Sequence, residues 1–236
     1  MKKIIKRLYT GSFENFCELL KERINNNKKT FIVTANPETF MMSEKDSEIK
    51  NMLFDNNVTL VADGIGVVKV SKMLNINITE RIAGVDIAKF LLEYANEKCL
   101  KVYLFGSKQE VIDGMRKVIE KEYNHIKLIG TTNGYVNDKD KVFENISKLN
   151  PDIVMVALGI PVQEKLIYKH LNEFKKGIFI GVGGSFDVLS GIKKRAPKLF
   201  IKLNLEWLYR IICEPKRLKR FWNNNVKFII KVRKVK

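Results

Sequence analysis

Apolar and polar residues alternate along this chain in the order that is typical of an α/β protein. Short, nearly continuous apolar runs predict strands, and the stretches between them repeat apolar residues at steps of three and four, which predicts helices. We expect strands at 30–34, 58–62, 101–105, 126–130, 152–158 and 178–182, and helices at 11–25, 43–55, 65–74, 85–97, 108–122, 139–148 and 162–172. Because the strand runs lack alternation, both faces of the sheet should be covered. The pattern predicts a doubly wound α/β fold with a mostly parallel, Rossmann-like sheet.

The chain changes character after Lys198, where a basic and aromatic tail begins. Apolar residues recur there at helical steps, at Phe200, Leu203, Trp207, Leu208, Ile211 and Ile212, and beyond Pro215 at Trp222, Val226, Ile229, Val232 and Val235. Basic amphipathic helices of this kind lie in membrane interfaces. We therefore expect an α/β domain over residues 1–195 and a basic amphipathic helical appendage, associated with a membrane, over residues 196–236.

The positive charge is concentrated in this tail. Residues 193–236 contain 15 Lys and Arg but only two acids, so about three quarters of the net charge of +17 lies in the last fifth of the chain. Such a block suits nucleic acid, an anionic membrane surface or a polyanionic substrate, and its sign alone does not choose between them.

The cysteines and the hydropathy of the chain indicate its redox environment and its relation to membranes. Cys17, Cys99 and Cys213 are far apart and form no CxxC pair, which predicts neither a disulfide framework nor a zinc site and favours a reduced, cytoplasmic setting. The amino terminus lacks the apolar core of a signal peptide, and no run approaches the ~20 apolar residues that span a bilayer. Any membrane contact should therefore be peripheral.

Polar residues and glycines follow most of the predicted strands. They are Thr34, Asn36, Asp63, Gly64, Gly106, Gly134, the run 159–163 and the run 183–187. Ligands of doubly wound sheets bind outside the carboxyl ends of the strands. These residues are therefore the first candidates for a binding site.

Asp63 stands directly between a predicted strand and Gly64-Ile65-Gly66. A carboxylate at this place could act as a general base with the backbone free to approach a ligand. The alternative interpretation is that Asp63 caps the following helix, which is the commoner role of such an aspartate.

The Gly-rich run 181–187 resembles a phosphate-binding turn, although Phe186 stands where a dinucleotide fingerprint has its third glycine. A tight structural turn is the alternative. Arg210, Arg217 and Arg220 follow in the tail and could hold a diphosphate by bidentate contacts, or form only a solvated cationic face. Pro215 makes one continuous helix through them doubtful. We expect a phosphorylated ligand between the turn and these arginines.

Asp138-Lys139-Asp140 matches the DxD pattern with which many nucleotide-sugar enzymes hold a divalent metal. It precedes a predicted helix, so an N-cap and a first-turn acid are the favoured interpretation. His125 and His170 have no ligand partner at metal spacing and are interpreted as satisfied surface or edge histidines. We expect no metal site.

Several runs together, in this order, resemble the WecG/TagA/CpsF glycosyltransferase family. They are 34–36, 62–66, 80–86, 157–164, 181–187, 194–197, 206–210, 214–215 and Arg217. The sequence departs from the family pattern in two places: Val162 stands where the family usually has Lys, and the run 105–107 varies the Leu-Gly-Gly of the family.

The resemblance implies an inverting glycosyltransferase that moves N-acetylmannosamine from its UDP form onto undecaprenyl-diphosphate-linked N-acetylglucosamine, which in the teichoic-acid branch makes the linkage unit of the wall polymer. The resemblance also implies that the transfer reaction requires no metal or other cofactor. By analogy Asp63 is the base, and Thr34, Asn36 and Gln163 line the sugar pocket. The other substrate-binding residues that it indicates are Gly64, Arg81, Gly183, Gly184, Asp187, Arg195, Arg210, Arg217 and Arg220.

A lipid-linked acceptor implies an enzyme that works at the inner face of the cytoplasmic membrane, with Trp207, Phe221, Trp222 and Phe228 of the tail toward the lipid. The exposed tail could instead pack on a second copy, so a homo-oligomer stays open. Another UDP-sugar, such as the uronic acid or a glucose-type sugar, is an alternative donor. A nucleic-acid-binding protein and a non-catalytic membrane adaptor are competing classes. Nucleic acid is not an expected partner, because the sequence lacks an aromatic RNA-binding signature.

Overall fold

The computed structural model of the protein describes residues 1–234, except for the side chains of Arg217, Arg220, Arg233 and Lys234. Its strands are β1 Thr30–Ala35, β2 Val58–Ala62, β3 Lys101–Gly106, β4 Lys127–Thr132, β5 Ile153–Ala157 and β6 Ile178–Gly181. They form one six-stranded sheet in the order β2-β1-β6-β5-β3-β4, and every strand pair in it is parallel. Each strand predicted from an apolar run is therefore confirmed.

The helices follow the strands along the chain. They are α1 Lys2–Ile5, α2 Phe13–Asn25, α3 Pro37–Ser43, α4 Ser47–Phe54, α5 Ile65–Met73, α6 Gly84–Glu97, α7 Gln109–Glu122, α8 Lys139–Lys148, α9 Val162–His170, α10 Ser185–Leu189, α11 Lys198–Lys202, α12 Glu206–Cys213, α13 Arg217–Phe221 and α14 Lys227–Lys234. A 3₁₀ turn covers Leu171–Glu173 and a π turn covers Trp222–Val226.

Helices cover both faces of the sheet. One face carries α1, α3, α4, α5, α8, α9 and α14, and the other carries α2, α6, α7 and α10. Alternate residues of β1 point to opposite layers, with Phe31 and Val33 in the first and Ile32 in the second. This arrangement confirms the doubly wound α/β prediction.

The helix expected to open at Ser43 is wrong, because Ser43 ends α3 and α4 begins at Ser47. Asn36 caps α3, and its side-chain oxygen accepts from the backbone N–H groups of Glu38 and Thr39 at 2.9 and 3.1 Å. Asp46 caps α4 in the same way. The predicted helix at 43–55 therefore corresponds to α4 with a later start, and α3, which Asn36 caps, was not predicted.

The carboxyl-terminal helix packs on the α/β core. α14 contacts α3 and α5, and the fully buried ring of Phe228 stacks on Phe40 with centroids 5.3 Å apart. The expected exposure of Phe228 toward lipid is therefore wrong, since its ring fills the first core layer. The domain boundary between residues 195 and 196 stays a prediction.

The segment from α11 to α13 has a different surface. Its exposed apolar residues are Leu199, Leu203, Ile212 and Leu218, followed by Trp222 in the π turn. Trp207 stacks on Phe221 with ring centroids 4.4 Å apart, so both lie partly covered. In the described part of the chain, no helix has the length and apolar character needed to cross a membrane.

Candidate active site

Four neighbouring strands bring most of the predicted site residues to one edge of the sheet. Thr34 and Asn36 lie at the end of β1, Asp63 and Gly64 follow β2, and the Gly183-Gly184 turn follows β6. Gln163 belongs to α9, which begins shortly after β5. Because the sheet is parallel, these strand ends share one edge, as the sequence predicted.

Asp63 does not cap the helix that follows it. The N-cap of α5 is Gly64, at φ 100°, and no side chain caps this helix. The backbone N–H of Asp63 donates to the carbonyl of Ala35 at 3.0 Å, which ties the ends of β2 and β1 together. Among the described residues its half-buried carboxylate accepts no hydrogen bond. The cap interpretation is therefore wrong, and the carboxylate is available to a ligand.

The surroundings of Asp63 make its carboxylate a stronger base. Burial raises the pKa of Asp63, and the nearby charges of Glu206 and Asp86 raise it further, against the opposing effect of Arg81 and Arg210. A carboxylate with a raised pKa takes a proton more readily near neutral pH.

Three of the predicted arginines converge on one glutamate. Arg81 donates from Nη2 to Glu206 Oε2 at 2.9 Å, Arg210 Nη2 lies 3.4 Å from Oε1, and Arg195 Nε lies 3.7 Å from Oε1. The Glu206 side chain is only 5% exposed. Burial alone would raise the pKa of Glu206, but the three arginines outweigh it and hold this pKa below its usual value.

Arg195 also binds the first turn of α6. Its Nη1 and Nη2 lie 2.7 and 3.0 Å from the two carboxylate oxygens of Asp86. Two residues earlier, Gly84 begins α6 so close to β1 that a Cβ there would lie 3.3 Å from Thr34 Cγ2. The amino terminus of this 14-residue helix, which no side chain caps, therefore reaches the candidate site beside Thr34.

Gln163 lies behind the site. It is 2% exposed, and its Oε1 accepts from the N–H groups of Gly159 and Gly183 at 3.0 and 3.2 Å. Its Nε2 donates to Glu164 Oε1 at 2.8 Å. This amide holds the loops after β5 and β6 together. A role for Gln163 in lining the sugar pocket stays a prediction.

The glycine turn after β6 leads directly into a short helix, and its role in phosphate binding stays a prediction. Gly183 adopts φ 48°, which favours glycine, and Gly184 is the N-cap of the five-residue α10. The Asp187 carboxylate lies 3.4 Å from Lys193 Nζ, which also lies 3.2 Å from Glu214. Asp187 thus pairs with a lysine that joins α10 to the end of α12.

Asp138 and Asp140 of the DxD run form a helix cap and ion pairs. Asp138 Oδ1 accepts from the N–H of Lys141 at 2.8 Å, which confirms its cap role in α8. Asp140 accepts from Lys169 at 2.8 Å and lies 2.6 Å from His170 Nε2. His170 is buried between Asp140 and Glu173, so the expectation of a surface or edge position is wrong for it.

Arg217 and Arg220 belong to α13, and their side chains lie outside the described residues. The helix is interrupted before them, because α12 ends at Cys213 and α13 begins at Arg217, with Pro215 between. The doubt about a continuous helix is confirmed.

Comparison with known proteins identifies the family. A model of the glycosyl transferase WecG/TagA/CpsF family matches residues 4–236. The chain belongs to this glycosyltransferase family. It is 45% identical over 209 residues to the N-acetylglucosaminyldiphosphoundecaprenol N-acetyl-beta-D-mannosaminyltransferase of Bacillus subtilis (strain 168), an alignment that covers 89% of this chain and 80% of that protein.

Two further relatives of this glycosyltransferase bear the same name. The protein of Bacillus spizizenii is 40% identical over 197 residues, with 84% of this chain and 76% of that protein covered. The protein of Staphylococcus aureus (strain NCTC 8325 / PS 47) is 35% identical over 224 residues, with 94% and 86% covered.

Sequence reasoning missed the acidic partners of the arginines in this glycosyltransferase. Glu206 and Asp86 lie inside the runs that resemble the family, but Arg81 is 125 residues away from Glu206 and Arg195 is 109 residues away from Asp86. A signal was available for Glu206, because it is one of only two acids in a tail that is otherwise strongly basic.

Proposed function

We propose that this chain transfers N-acetylmannosamine from UDP-N-acetylmannosamine to N-acetylglucosamine linked to undecaprenyl diphosphate, with inversion at the sugar. The proposal rests on the half-buried carboxylate of Asp63, which does not cap α5 and lies beside the cluster of Arg81, Arg210 and Glu206. The names of the relatives supply the donor sugar and the acceptor.

In the proposed reaction Asp63 takes the proton of the attacking acceptor hydroxyl. The oxygen forms a bond to the anomeric carbon on one face while the bond to the UDP oxygen breaks on the other, and the electron pair leaves with UDP. A single displacement of this kind inverts the configuration of that carbon. The raised pKa of Asp63 favours the transfer.

The leaving UDP carries at least two negative charges, which need fixed donors and cations at the site. Arg81 and Arg195 are largely buried against their acidic partners, whereas Arg210 contacts Glu206 but keeps a side chain that is 49% exposed. We assign Arg210, with Arg217 and Arg220 of the same segment, to the diphosphate of the donor or of the lipid. The amino terminus of α6 beside Thr34 offers free backbone N–H groups to the donor.

The acceptor carries a polyprenyl chain, so the enzyme must reach a bilayer. We assign this contact to the exposed leucines of α11–α13 and to Trp222, which lie among the exposed lysines 198, 202, 216 and 219. Each cation near an anionic surface contributes about 1 kcal/mol. The proposal places the protein on the inner face of the cytoplasmic membrane, and a homo-oligomer that uses the same surface is the alternative.

The experiment is to measure UDP release by the full-length protein from UDP-N-acetylmannosamine, with and without a lipid-diphosphate N-acetylglucosamine acceptor, in the presence and absence of EDTA. We expect release that depends on the acceptor and persists in EDTA. Loss of release in EDTA would contradict the metal-independent mechanism and direct attention back to Asp138 and Asp140. No release from this donor, but release from its uronic acid or from a glucose-type UDP-sugar, would overturn the assignment of the donor.

A further inference from the structure

Glu206 is the most connected buried acid at the candidate site, and the reaction proposed above gives it no chemical step. We infer that Glu206 is a positioning residue that fastens the carboxyl-terminal segment over Asp63 and holds the Arg81 and Arg210 side chains away from that carboxylate. The inference rests on the proposed function for its kinetic consequences, but its structural consequence can be measured without any activity.

The partners of Glu206 come from three separate parts of the chain. Arg81 precedes α6, Arg195 follows α10, and Arg210 lies one turn further along α12. Glu206 itself is the first residue of α12. One carboxylate therefore joins the tail to two loops of the α/β fold at a single buried point.

The cations at this point depend on Glu206 for neutralisation. The Arg81 side chain is 15% exposed, and it donates a hydrogen bond to Glu206. Arg195 uses both Nη atoms on Asp86, and its buried Nε has no hydrogen-bond acceptor in the described part of the chain. If Glu206 loses its charge, Arg81 lacks its buried counterion. The ion pair that attaches α12 to the α/β fold is then weakened.

Loss of this charge also acts on Asp63. Among the described residues, the charged groups that face Asp63 are Arg81 and Arg210, which lower its pKa, and Glu206 and Asp86, which raise it. Without the Glu206 charge the balance shifts toward the arginines, and Arg81 is free to approach Asp63. The pKa of Asp63 should fall, so the base becomes weaker but remains ionised to lower pH.

These two effects distinguish a positioning role from a merely structural one. General loss of structure would lower the rate equally at all pH values. The arrangement described here predicts a lower kcat at neutral pH together with an acid limb of the kcat profile that moves to lower pH.

The test compares Glu206→Gln and Glu206→Asp with Glu144→Gln as control. Glu144 is an exposed glutamate of α8 that pairs only with Lys141 among the interactions the structure describes, so its loss removes the same charge elsewhere. We expect Glu206→Gln to lower kcat at least tenfold, to move the acid limb down by about half a pH unit or more, and to speed proteolytic cleavage between α10 and α12. Glu206→Asp should recover part of kcat and part of the resistance to proteolytic cleavage. Glu144→Gln should match wild type in both.

Wild-type kcat and an unmoved acid limb in Glu206→Gln would overturn the inference, as would loss of activity without faster cleavage. If Glu206→Gln does not fold, Glu206→Asp supplies the same comparison, because the shorter side chain must weaken the pairing with the arginines. If the wild-type protein transfers no sugar at all, the proposed function fails, and the cleavage comparison still decides whether Glu206 fastens the tail.

Discussion

A buried glutamate next to the candidate site should make the stability of this protein depend on pH. Glu164 is 4% exposed, its Oε1 accepts from Gln163 at 2.8 Å, and its buried Oε2 has no partner in the described residues. Burial raises the pKa of Glu164 from 4.5 to about 7, and the charge of Glu38 adds to this. The folded protein therefore holds this proton over a pH range in which the unfolded chain has lost it.

The sign and size of the effect follow from this difference. Since the pKa is raised by folding, the stabilisation is fully present below pH 4.5 and is lost as the pH rises through about 7. A shift of this size corresponds to about 3 kcal/mol, at 1.36 kcal/mol per unit. Glu164→Gln keeps the shape of the side chain and removes the titration, so it should gain up to about 3 kcal/mol relative to wild type between pH 5 and pH 8.

The assay is urea unfolding of wild type and Glu164→Gln at pH 5, 6, 7 and 8, with the free energy of unfolding compared at each pH. Glu144→Gln, an exposed glutamate on α8, is the control and should keep a constant difference from wild type. A constant difference for Glu164→Gln as well would refute the reasoning, because it would mean that Glu164 is ionised in the folded protein across this range.

Two predictions concern the tail. Phe228→Ala should lower the free energy of unfolding by about 3–5 kcal/mol, because the Phe228 ring is fully buried against Phe40. Trp222→Ala removes an exposed ring and should change the free energy of unfolding little. Equal effects of the two substitutions in urea unfolding would contradict the packing of α14. The double variant Leu199→Ser with Leu203→Ser should bind anionic vesicles at least about tenfold more weakly in a sedimentation assay, because it removes two exposed leucines from the proposed membrane surface. Unchanged vesicle binding would argue against that surface.

The fold was largely predictable because its strands are local apolar runs. The sheet edge that carries Thr34 and Asp63 followed from the order of strands and helices alone. The short helix α3 and the start of α4 were harder to predict, since they depend on whether Asn36 and Asp46 act as caps. Periodicity identified an amphipathic helix at the carboxyl terminus, but it cannot tell whether lipid or the protein core covers Phe228.

The candidate site was predictable in its residues more than in their roles. Strand ends and the family resemblance indicated Asp63 and the arginines, and the structure brings Arg81, Arg195 and Arg210 together. The pairing of Glu206 with Arg81 and the contact of Gln163 with Gly183 were not predictable, because these partners are 125 and 20 residues away along the chain. Local sequence does not contain such contacts.

The proposed role of Asp63 as the base of a sugar transfer is tested most directly by Asp63→Asn. We expect turnover with UDP-N-acetylmannosamine and the lipid-linked acceptor to fall by a factor of about 10² to 10⁴, while the Kd for UDP measured by calorimetry stays near the wild-type value. Near-normal turnover in Asp63→Asn would contradict the assignment of the base.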